Sequence, residues 1–191
     1  MNPSLVEQDL PVRQLLDKLR ALASVDKLWS ESRYRKGQTL FDQDNAPADV
    51  FILTQGLVKL VYITPEGEER IKSFIVDQGV FAAENGMLAF GARTLEPSTV
   101  IRLPLQWVKD QLSKNADLQR TYSQFADWVR QRKSRREQSL LCDSATERFQ
   151  AMQALEPDLV SRLPQGDVAG YLGITPIAFS RIKRRLRVAL R

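Results

Sequence analysis

The densest group of side chains with binding chemistry lies between Thr175 and the last residue. Six cations and no acid occur there, namely Arg181, Lys183, Arg184, Arg185, Arg187 and Arg191. Cations at this density neutralise phosphate groups, and each neutralised phosphate releases condensed counterions. A solvated basic helix explains the charge alone equally well. Whether these cations bind phosphates or only face solvent therefore depends on the secondary-structure elements that position them.

The residues around this segment predict two short helices joined by a tight turn. Their spacing predicts a small shared core that consists of Val168, Leu172, Ile174, Phe179 and Ile182. Ala169 is small where the helices must cross, and Gly173 stands where the first helix must turn into the left-handed conformation. Thr175 and Pro176 then supply an N-cap and a first-turn proline. The pattern is that of a helix-turn-helix, which favours a DNA partner over a merely solvated face.

Composition excludes several kinds of chemistry. The 191 residues include no His and one Cys, Cys142, so His-dependent catalysis, His-ligated haem and thiolate-held iron–sulfur clusters are not expected. No nucleophile elbow, phosphate loop or metal-ligand cluster has convincing spacing, and the acids of the EGEE segment fit a hairpin turn. We therefore expect no catalytic residues, no metal and no enzyme. The net charge of +5 favours a polyanionic partner.

The remainder of the chain divides into segments that differ in their pattern of apolar residues. Apolar residues at helical spacing predict an amphipathic helix from about Val12 to Leu28, and short apolar runs separated by turn signals predict β-strands from Trp29 to Leu103. The pattern is then helical to the end. We expect an N-terminal helix and β domain over residues 1–116, a long helix over 117–140 and a DNA-binding domain over 141–191.

The long helix carries an apolar stripe that consists of Leu118, Tyr122, Phe125 and Val129. This stripe fits two interpretations equally well, namely packing on the protein's own β domain and a dimer seam. The next helix is expected to contain Leu141, Ala145, Phe149 and Met152 and to end near Glu156, because a residue before proline resists helical geometry. Cys142 is expected to be a buried small hydrophobe.

Several blocks in a fixed order resemble Crp/Fnr-type transcription regulators. They are YRKGQTLFDQDNAPADVFILTQGLVKLVY, EGEERIKSFIVDQGVF, LEPSTVIRLP, ATERFQAM and LPQGDVAGYLGITPIAFSRIKRRL. The resemblance implies an α+β fold: an N-terminal β-roll (double-stranded β-helix or jelly-roll-like), a long dimerisation helix and a C-terminal helix-turn-helix. Only RVALR is expected to follow the second helix, so little or no wing is expected.

The resemblance also implies roles on DNA. Arg181 would be the main base reader, since a guanidinium bonds bidentately to guanine. Lys183, Arg184 and Arg187 would contact phosphates. Thr175 and Ser180 would lie near phosphates or base edges, and Gln165 and Tyr171 could reach the backbone. Pro176 and Ile177 fill the first turn where many relatives carry an acid, and Ile177 offers only an apolar contact, for instance to a thymine methyl. The family's usual half-site is therefore not transferred.

The sequence matches the ligand-binding site of the Crp/Fnr-type relatives only in part. The corresponding residues are Gly79, Glu84, Asn85, Arg93 and Thr94. One alignment makes Arg93 and Thr94 a phosphate-binding pair, whereas a second, anchored on LEPS, places them in the preceding strand. We prefer the second alignment, so the pocket is expected to be degenerate, with no assigned cofactor and an unidentified small molecule as the only candidate effector.

These observations favour a sequence-specific regulator that binds double-stranded DNA as a homodimer, with RNA polymerase as a further candidate partner. The alternative is a module that senses a small anion or a cyclic nucleotide and acts through protein contacts. No apolar run has the length of a membrane span, and the first twenty residues lack the apolar region of a signal peptide. We therefore expect a cytoplasmic protein without a membrane partner.

Overall fold

A computed structural model describes residues 10–83 and 89–189, with side chains described as far as Leu186 in the last helix. The chain forms two compact units, Met1–Arg130 and Gln131–Arg191, which we call the N-terminal and C-terminal units. The division falls inside one long helix. Each unit is described by itself below.

Eight strands build the N-terminal unit. They are β1 (Glu31–Tyr34), β2 (Thr39–Phe41), β3 (Asp49–Gln55), β4 (Leu57–Ile63), β5 (Glu69–Val76), β6 (Gly79–Ala82), β7 (Gly91–Thr94) and β8 (Ser98–Pro104). A short 3-10 helix, Gln43–Asn45, links β2 to β3. The strands form two antiparallel four-stranded sheets, in the orders β1-β8-β3-β6 and β2-β7-β4-β5. The β-roll predicted from the sequence is confirmed.

Strand β3 shows how the unit is layered, because successive side chains of a strand point to opposite faces. Phe51 and Leu53 belong to the apolar core between the two sheets. Val50 and Ile52 belong to a second core, which is shared with helices. Both faces of this strand are therefore buried, which explains why DVFILTQ reads as an almost continuous apolar run.

Three helices contribute to that second core. They are α1 (Leu10–Val25), α2 (Leu105–Lys114) and the first part of α3 (Ala116–Cys142). The buried face of α1 consists of Val12, Leu15, Leu16, Leu19 and Ala23. These residues recur at the helical spacing seen in the sequence, so the predicted amphipathic helix is confirmed, although it ends three residues earlier than expected.

The EGEE segment forms the predicted hairpin turn between β4 and β5. The amide of Gly67 donates to the carbonyl of Thr64 over 2.8 Å, and the amide of Thr64 donates to the carbonyl of Glu68 over 3.0 Å. Gly67 has a φ of 81°, the left-handed conformation that glycine adopts at no steric cost. The EGEE segment therefore forms a turn.

The C-terminal unit contains the end of α3 and four further helices. They are α4 (Ala145–Leu155), α5 (Pro157–Arg162), α6 (Gln165–Tyr171) and α7 (Pro176–Ala189). The prediction that Leu141 belongs to the third helix is wrong, because α3 continues to Cys142 and α4 begins only after Ser144. A capping box fixes that start: the Ser144 hydroxyl accepts from the Glu147 amide, and the Glu147 carboxylate accepts from the Ser144 amide.

Two further boundaries differ from expectation. Pro157 ends α4 as predicted but also occupies the first turn of α5. Helix α7 continues to Ala189, so three residues of RVALR, which were expected to follow the second helix, belong to it. The expected fold class of a β-roll, a long helix and a C-terminal helix-turn-helix is otherwise confirmed.

Candidate nucleic-acid interface

The turn between α6 and α7 has the geometry that its sequence predicts. Gly173 has a φ of 71°. Its amide donates to the Gly170 carbonyl over 3.1 Å, and the amide of Ile174 donates to the Ala169 carbonyl over 3.0 Å. This pair of hydrogen bonds defines a Schellman motif, which satisfies carbonyl groups that a helix end leaves without partners. The motif ends α6 and turns the chain within three residues.

Helix α7 begins where Thr175 and Pro176 predict. The Thr175 hydroxyl accepts a hydrogen bond from the Ala178 amide over 3.2 Å, which is the N-cap interaction. Pro176 takes the first helical position, where its missing amide hydrogen would have no intrahelical partner. The start of the cationic helix is therefore fixed by local sequence.

A small apolar core holds the two helices together. Its buried members in α4 to α7 include Phe149, Met152, Leu159, Leu163, Val168, Ala169, Leu172, Phe179 and Ile182. Phe149 and Phe179 meet edge to face, with ring centroids 4.8 Å apart. Ile174, which was also expected in this core, is only half-buried. The buried stripe of α7 fixes which of its faces points outward.

The outward face of α7 carries most of the residues predicted to contact DNA. Those exposed to solvent are Thr175, Pro176, Ile177, Ser180, Arg181 and Arg184, together with Arg185. Ile177 is 68% exposed, so this cationic face also carries an apolar side chain. Lys183 is half-buried, and its ammonium lies 5.7 Å from the Phe179 ring centroid. Arg187 belongs to α7, but its side chain lies outside the described residues.

The two predicted contacts on α6 differ in their surroundings. Gln165 is the first residue of α6 and is exposed. Tyr171 is half-buried beneath Arg136 of α3, whose guanidinium carbon lies 4.4 Å from the ring centroid. Arg136 also donates to the Tyr171 carbonyl over 3.1 Å. Burial raises the pKa of the Tyr171 hydroxyl above its usual value. Tyr171 therefore has a packing role that its position in the sequence did not indicate.

Arg148 of α4 is a residue that sequence reasoning did not single out. Its Nε donates to the Leu172 carbonyl over 3.1 Å, at the last turn of α6. Its Nη1 donates to the Asp143 carbonyl, and lies 3.5 Å from the Ser139 carbonyl, at the end of α3. One guanidinium thus joins the ends of two helices. The ATERF block was the only sequence signal near it, and that block carries no information about these distant carbonyls.

The candidate effector residues that the structure describes make contacts within the β-roll. Arg93 and Thr94 lie in β7, as the preferred alignment predicts. Thr94 is completely buried, and its hydroxyl donates to the Arg35 carbonyl over 2.6 Å and accepts from the Gln38 amide over 2.9 Å. Because both interactions tie the β1–β2 turn to β7, this hydroxyl is not available to a phosphate.

Arg93 and Gly79 also have roles within the β-roll, Arg93 in an ion pair and Gly79 in close packing. The Arg93 guanidinium lies 3.2 Å from the Glu69 carboxylate, which also accepts from the Lys59 ammonium over 2.6 Å. The hydrogen bond from Lys59 is the main cause that lowers the pKa of Glu69 below its usual value. Gly79 begins β6, where a Cβ would come within 2.3 Å of the Ile75 side chain. Glu84 and Asn85 lie outside the described residues.

Four phenylalanine rings occupy the space between the two sheets. Phe41 lies with its ring centroid 4.9 Å from that of Phe51 and 5.6 Å from that of Phe90. Phe51 in turn stacks on Phe81 at 5.2 Å. All four rings are buried, and every other buried member of this core is apolar. The described core between the two sheets is therefore filled by aromatic and aliphatic side chains.

The apolar stripe on α3 has two parts. Leu118 is completely buried in the core shared with α1, and Phe125 packs against the same core. Leu118 is therefore wrong as a seam residue, because it has no surface left to offer a partner. Tyr122 is 40% exposed and Val129 is half-buried. Packing on the protein's own N-terminal unit therefore accounts for Leu118. It does not account for Val129.

Cys142 differs from expectation. It was expected to be buried, but it is exposed, because it is the last residue of α3 and the chain turns away at Asp143 to begin α4. Within the described ranges, no group of three or more His, Cys, Asp or Glu residues is arranged to hold a metal ion. Among those same residues, no helix is long and apolar enough to cross a membrane.

Residues 31–115 match the cyclic nucleotide-binding domain family. These residues run from β1 to the end of α2 and resemble that domain, and the β-roll followed by a long helix and a helix-turn-helix is the Crp/Fnr fold. The resemblance inferred from the sequence is thereby confirmed. Among curated proteins, no sequence matches this chain.

Several solved structures share this fold. FixK2 from Bradyrhizobium japonicum is 21% identical, with a TM-score of 0.72 over 84% of this chain and 85% of that one. A CooA mutant from Carboxydothermus hydrogenoformans is 18% identical, with a TM-score of 0.68 over 87% and 79%. The c-di-GMP responsive global regulator CLP from Xanthomonas campestris is 14% identical, with a TM-score of 0.68 over 89% and 92%.

Proposed function

We propose that the chain is a sequence-specific DNA-binding transcription regulator of the Crp/Fnr type that acts as a homodimer. The observation that carries this proposal is the outward face of α7. A capped helix in a helix-turn-helix presents Arg181, Arg184 and Arg185 to solvent, and no acid follows Asp167 in the sequence. A cationic face of this kind complements the phosphates that border a major groove. The proposal assigns no catalytic step to the chain.

The residues of this face would divide into two roles. Arg181 would read a guanine, because its guanidinium can donate two hydrogen bonds to O6 and N7. Arg184, Lys183 and Arg187 would contact phosphates and fix the register of the helix on the duplex. The exposed Gln165 would add a contact at the start of α6. Thr175 and Ser180 would contribute hydroxyl groups to phosphates or base edges.

Dimerisation would place two such helices in successive major grooves. The surface that we propose for the seam is the part of α3 around Tyr122 and Val129, which are seven residues apart and therefore share a face of the helix. A two-fold axis between the copies would separate the recognition helices by about 34 Å. The operator should accordingly be an imperfect palindrome, and RNA polymerase would be a further partner at promoters.

The β-roll would have a degenerate effector site. The phenylalanine-filled interior and the structural roles of Arg93 and Thr94 support this part of the proposal. A cyclic phosphate would have to compete with Glu69 for the Arg93 guanidinium, and the Thr94 hydroxyl is already engaged by the β1–β2 turn. We therefore expect cyclic AMP and cyclic GMP to leave the melting temperature unchanged, whereas a concentration-dependent rise would contradict the degenerate site.

A titration of labelled duplexes by fluorescence anisotropy tests the DNA-binding proposal. The chain should prefer particular genomic fragments, and the logarithm of its affinity should fall with the logarithm of salt concentration by about 0.9 for each neutralised phosphate. Arg181→Ala should cost about 1–3 kcal/mol and relax the preference at one base pair of each half-site. Equal affinity for every duplex, or none, would refute the proposal.

Two matched variants separate the roles of the arginines. Arg184→Ala should weaken binding to all sequences equally and reduce the salt slope, since a phosphate contact carries no sequence information. Arg135→Ala removes one exposed charge from α3 and should change affinity least. If Arg181→Ala weakens all sequences to the same extent, Arg181 is a phosphate contact and its assigned role is wrong.

A further inference from the structure

The first turn of α7 presents an apolar side chain on an otherwise cationic face. Ile177 is 68% exposed, whereas Phe179 and Ile182 of the same helix are buried. Exposing an isoleucine of this size forgoes the stabilisation that burial would give it. Its position is the second residue of the helix, at the end that a helix-turn-helix directs toward base edges.

Helical geometry aligns Ile177 with the two exposed arginines. Arg181 follows after four residues and Arg184 after seven, and these spacings place all three on one face. The rise of 1.5 Å per residue separates Ile177 from Arg181 by about 6 Å along the axis. This distance corresponds to roughly two base-pair steps of 3.4 Å. The two side chains can therefore meet neighbouring positions of one half-site.

The remaining groups of the first turn offer little hydrogen bonding to bases. Pro176 has no amide hydrogen and a hydrocarbon side chain. The Thr175 hydroxyl accepts the capping hydrogen bond from the Ala178 amide and keeps only its single hydrogen to donate to a phosphate or base edge. Ala178 carries only a methyl group and is half-buried. What the first turn presents to a base edge is therefore mainly apolar surface.

The major groove has one apolar feature, the C5-methyl group of thymine. We propose that Ile177 reads this methyl group, within about two base pairs of the guanine read by Arg181. This inference rests on the proposed function and adds the chemistry of the half-site to it. The arginines of the same face supply the charge that brings the helix to DNA, so the expected occupant of this face is a duplex.

Replacing thymine by deoxyuridine tests the inference, because uracil lacks only the methyl group. A preferred duplex is first enriched from a random-sequence pool with the full chain, and each thymine is then replaced in turn. Loss of one buried methyl contact should weaken binding by about fourfold at one thymine of each half-site. Ile177→Ala should lose a similar factor on the thymine duplex and should no longer distinguish thymine from uracil at that position.

Two variants serve as controls for this experiment. Ile177→Val keeps branched methyl groups at the same position and should retain the discrimination. Leu141→Ala shortens another exposed apolar side chain of the C-terminal unit, 79% exposed, and should leave it unchanged. Tolerance of uracil at every position, or an unchanged uracil penalty in Ile177→Ala, would overturn this inference alone. A pool without any enriched sequence would overturn the proposed function as well.

Discussion

Removing the guanidinium of Arg148 should destabilise the C-terminal unit while leaving its surface charge pattern nearly intact. Arg148 donates to the carbonyls of Leu172 and Asp143, which belong to the ends of α6 and α3. Hydrogen bonds from a charged donor contribute about 1.5–3 kcal/mol each when they are buried. Because Arg148 is half-buried and water can replace part of each bond, we expect Arg148→Ala to cost about 2–3 kcal/mol.

The distribution of tryptophan allows this loss to be located. Trp29, Trp107 and Trp128 all belong to the N-terminal unit, so their fluorescence reports on that unit during denaturant unfolding. Far-ultraviolet circular dichroism also reports on the helices of the C-terminal unit. Arg148→Ala should lower the dichroism midpoint more than the fluorescence midpoint, and DNA affinity should fall with it.

Two comparisons make this prediction decisive. Arg148→Lys keeps the charge but offers a single ammonium, which cannot donate from two nitrogens at once, so it should restore only part of the stability. Arg135→Ala removes one exposed arginine of α3 and should leave both midpoints within about 0.5 kcal/mol of the original protein. If Arg148→Ala behaves like Arg135→Ala, the guanidinium does not join the two helix ends in solution.

Three other predictions follow from the structure. Gly56→Ala should lower the free energy of unfolding, measured by denaturant, by about 3 kcal/mol or more, because Gly56 has a φ of 113° and a Cβ there would lie 2.3 Å from the Ser98 hydroxyl. Gly67→Ala should lower it by only about 1–2 kcal/mol, because a Cβ at Gly67 would lie in open space. Val129→Glu should produce monomers in sedimentation, and Ser123→Glu should not. The hydrogen bond from Ser144 lowers the pKa of Glu147 below its usual 4.5, so its stabilisation should disappear as pH falls through that lowered pKa, and Glu147→Gln should weaken this acid dependence.

The helix-turn-helix could be predicted from sequence because its signals are local. Gly173 adopts the left-handed conformation, Thr175 caps α7, and Pro176 takes the first turn, as their residue types indicate. The β-roll was predicted for a similar reason, since apolar runs and turn residues alternate at strand length. Most of the fold could therefore be predicted from residue types that restrict the backbone.

Features that depend on distant parts of the chain could not be read in this way. Leu118 lies on the same stripe as Val129, yet only the packing of α1 determines that Leu118 is buried. The carbonyls that Arg148 binds are up to 24 residues away in the sequence. The break between α3 and α4 was missed although Ser144 and Glu147 have the spacing of a capping box, because the apolar periodicity runs across it.

The preference for one DNA sequence over another tests the central claim most directly. The dissociation constant for a duplex enriched from a random pool should be compared, at physiological salt, with that for the same duplex with both half-sites shuffled. A regulator that reads bases through α7 should bind the enriched duplex at least about 10³-fold more tightly. A ratio near one, with the same salt dependence for both duplexes, would contradict sequence-specific recognition by this protein.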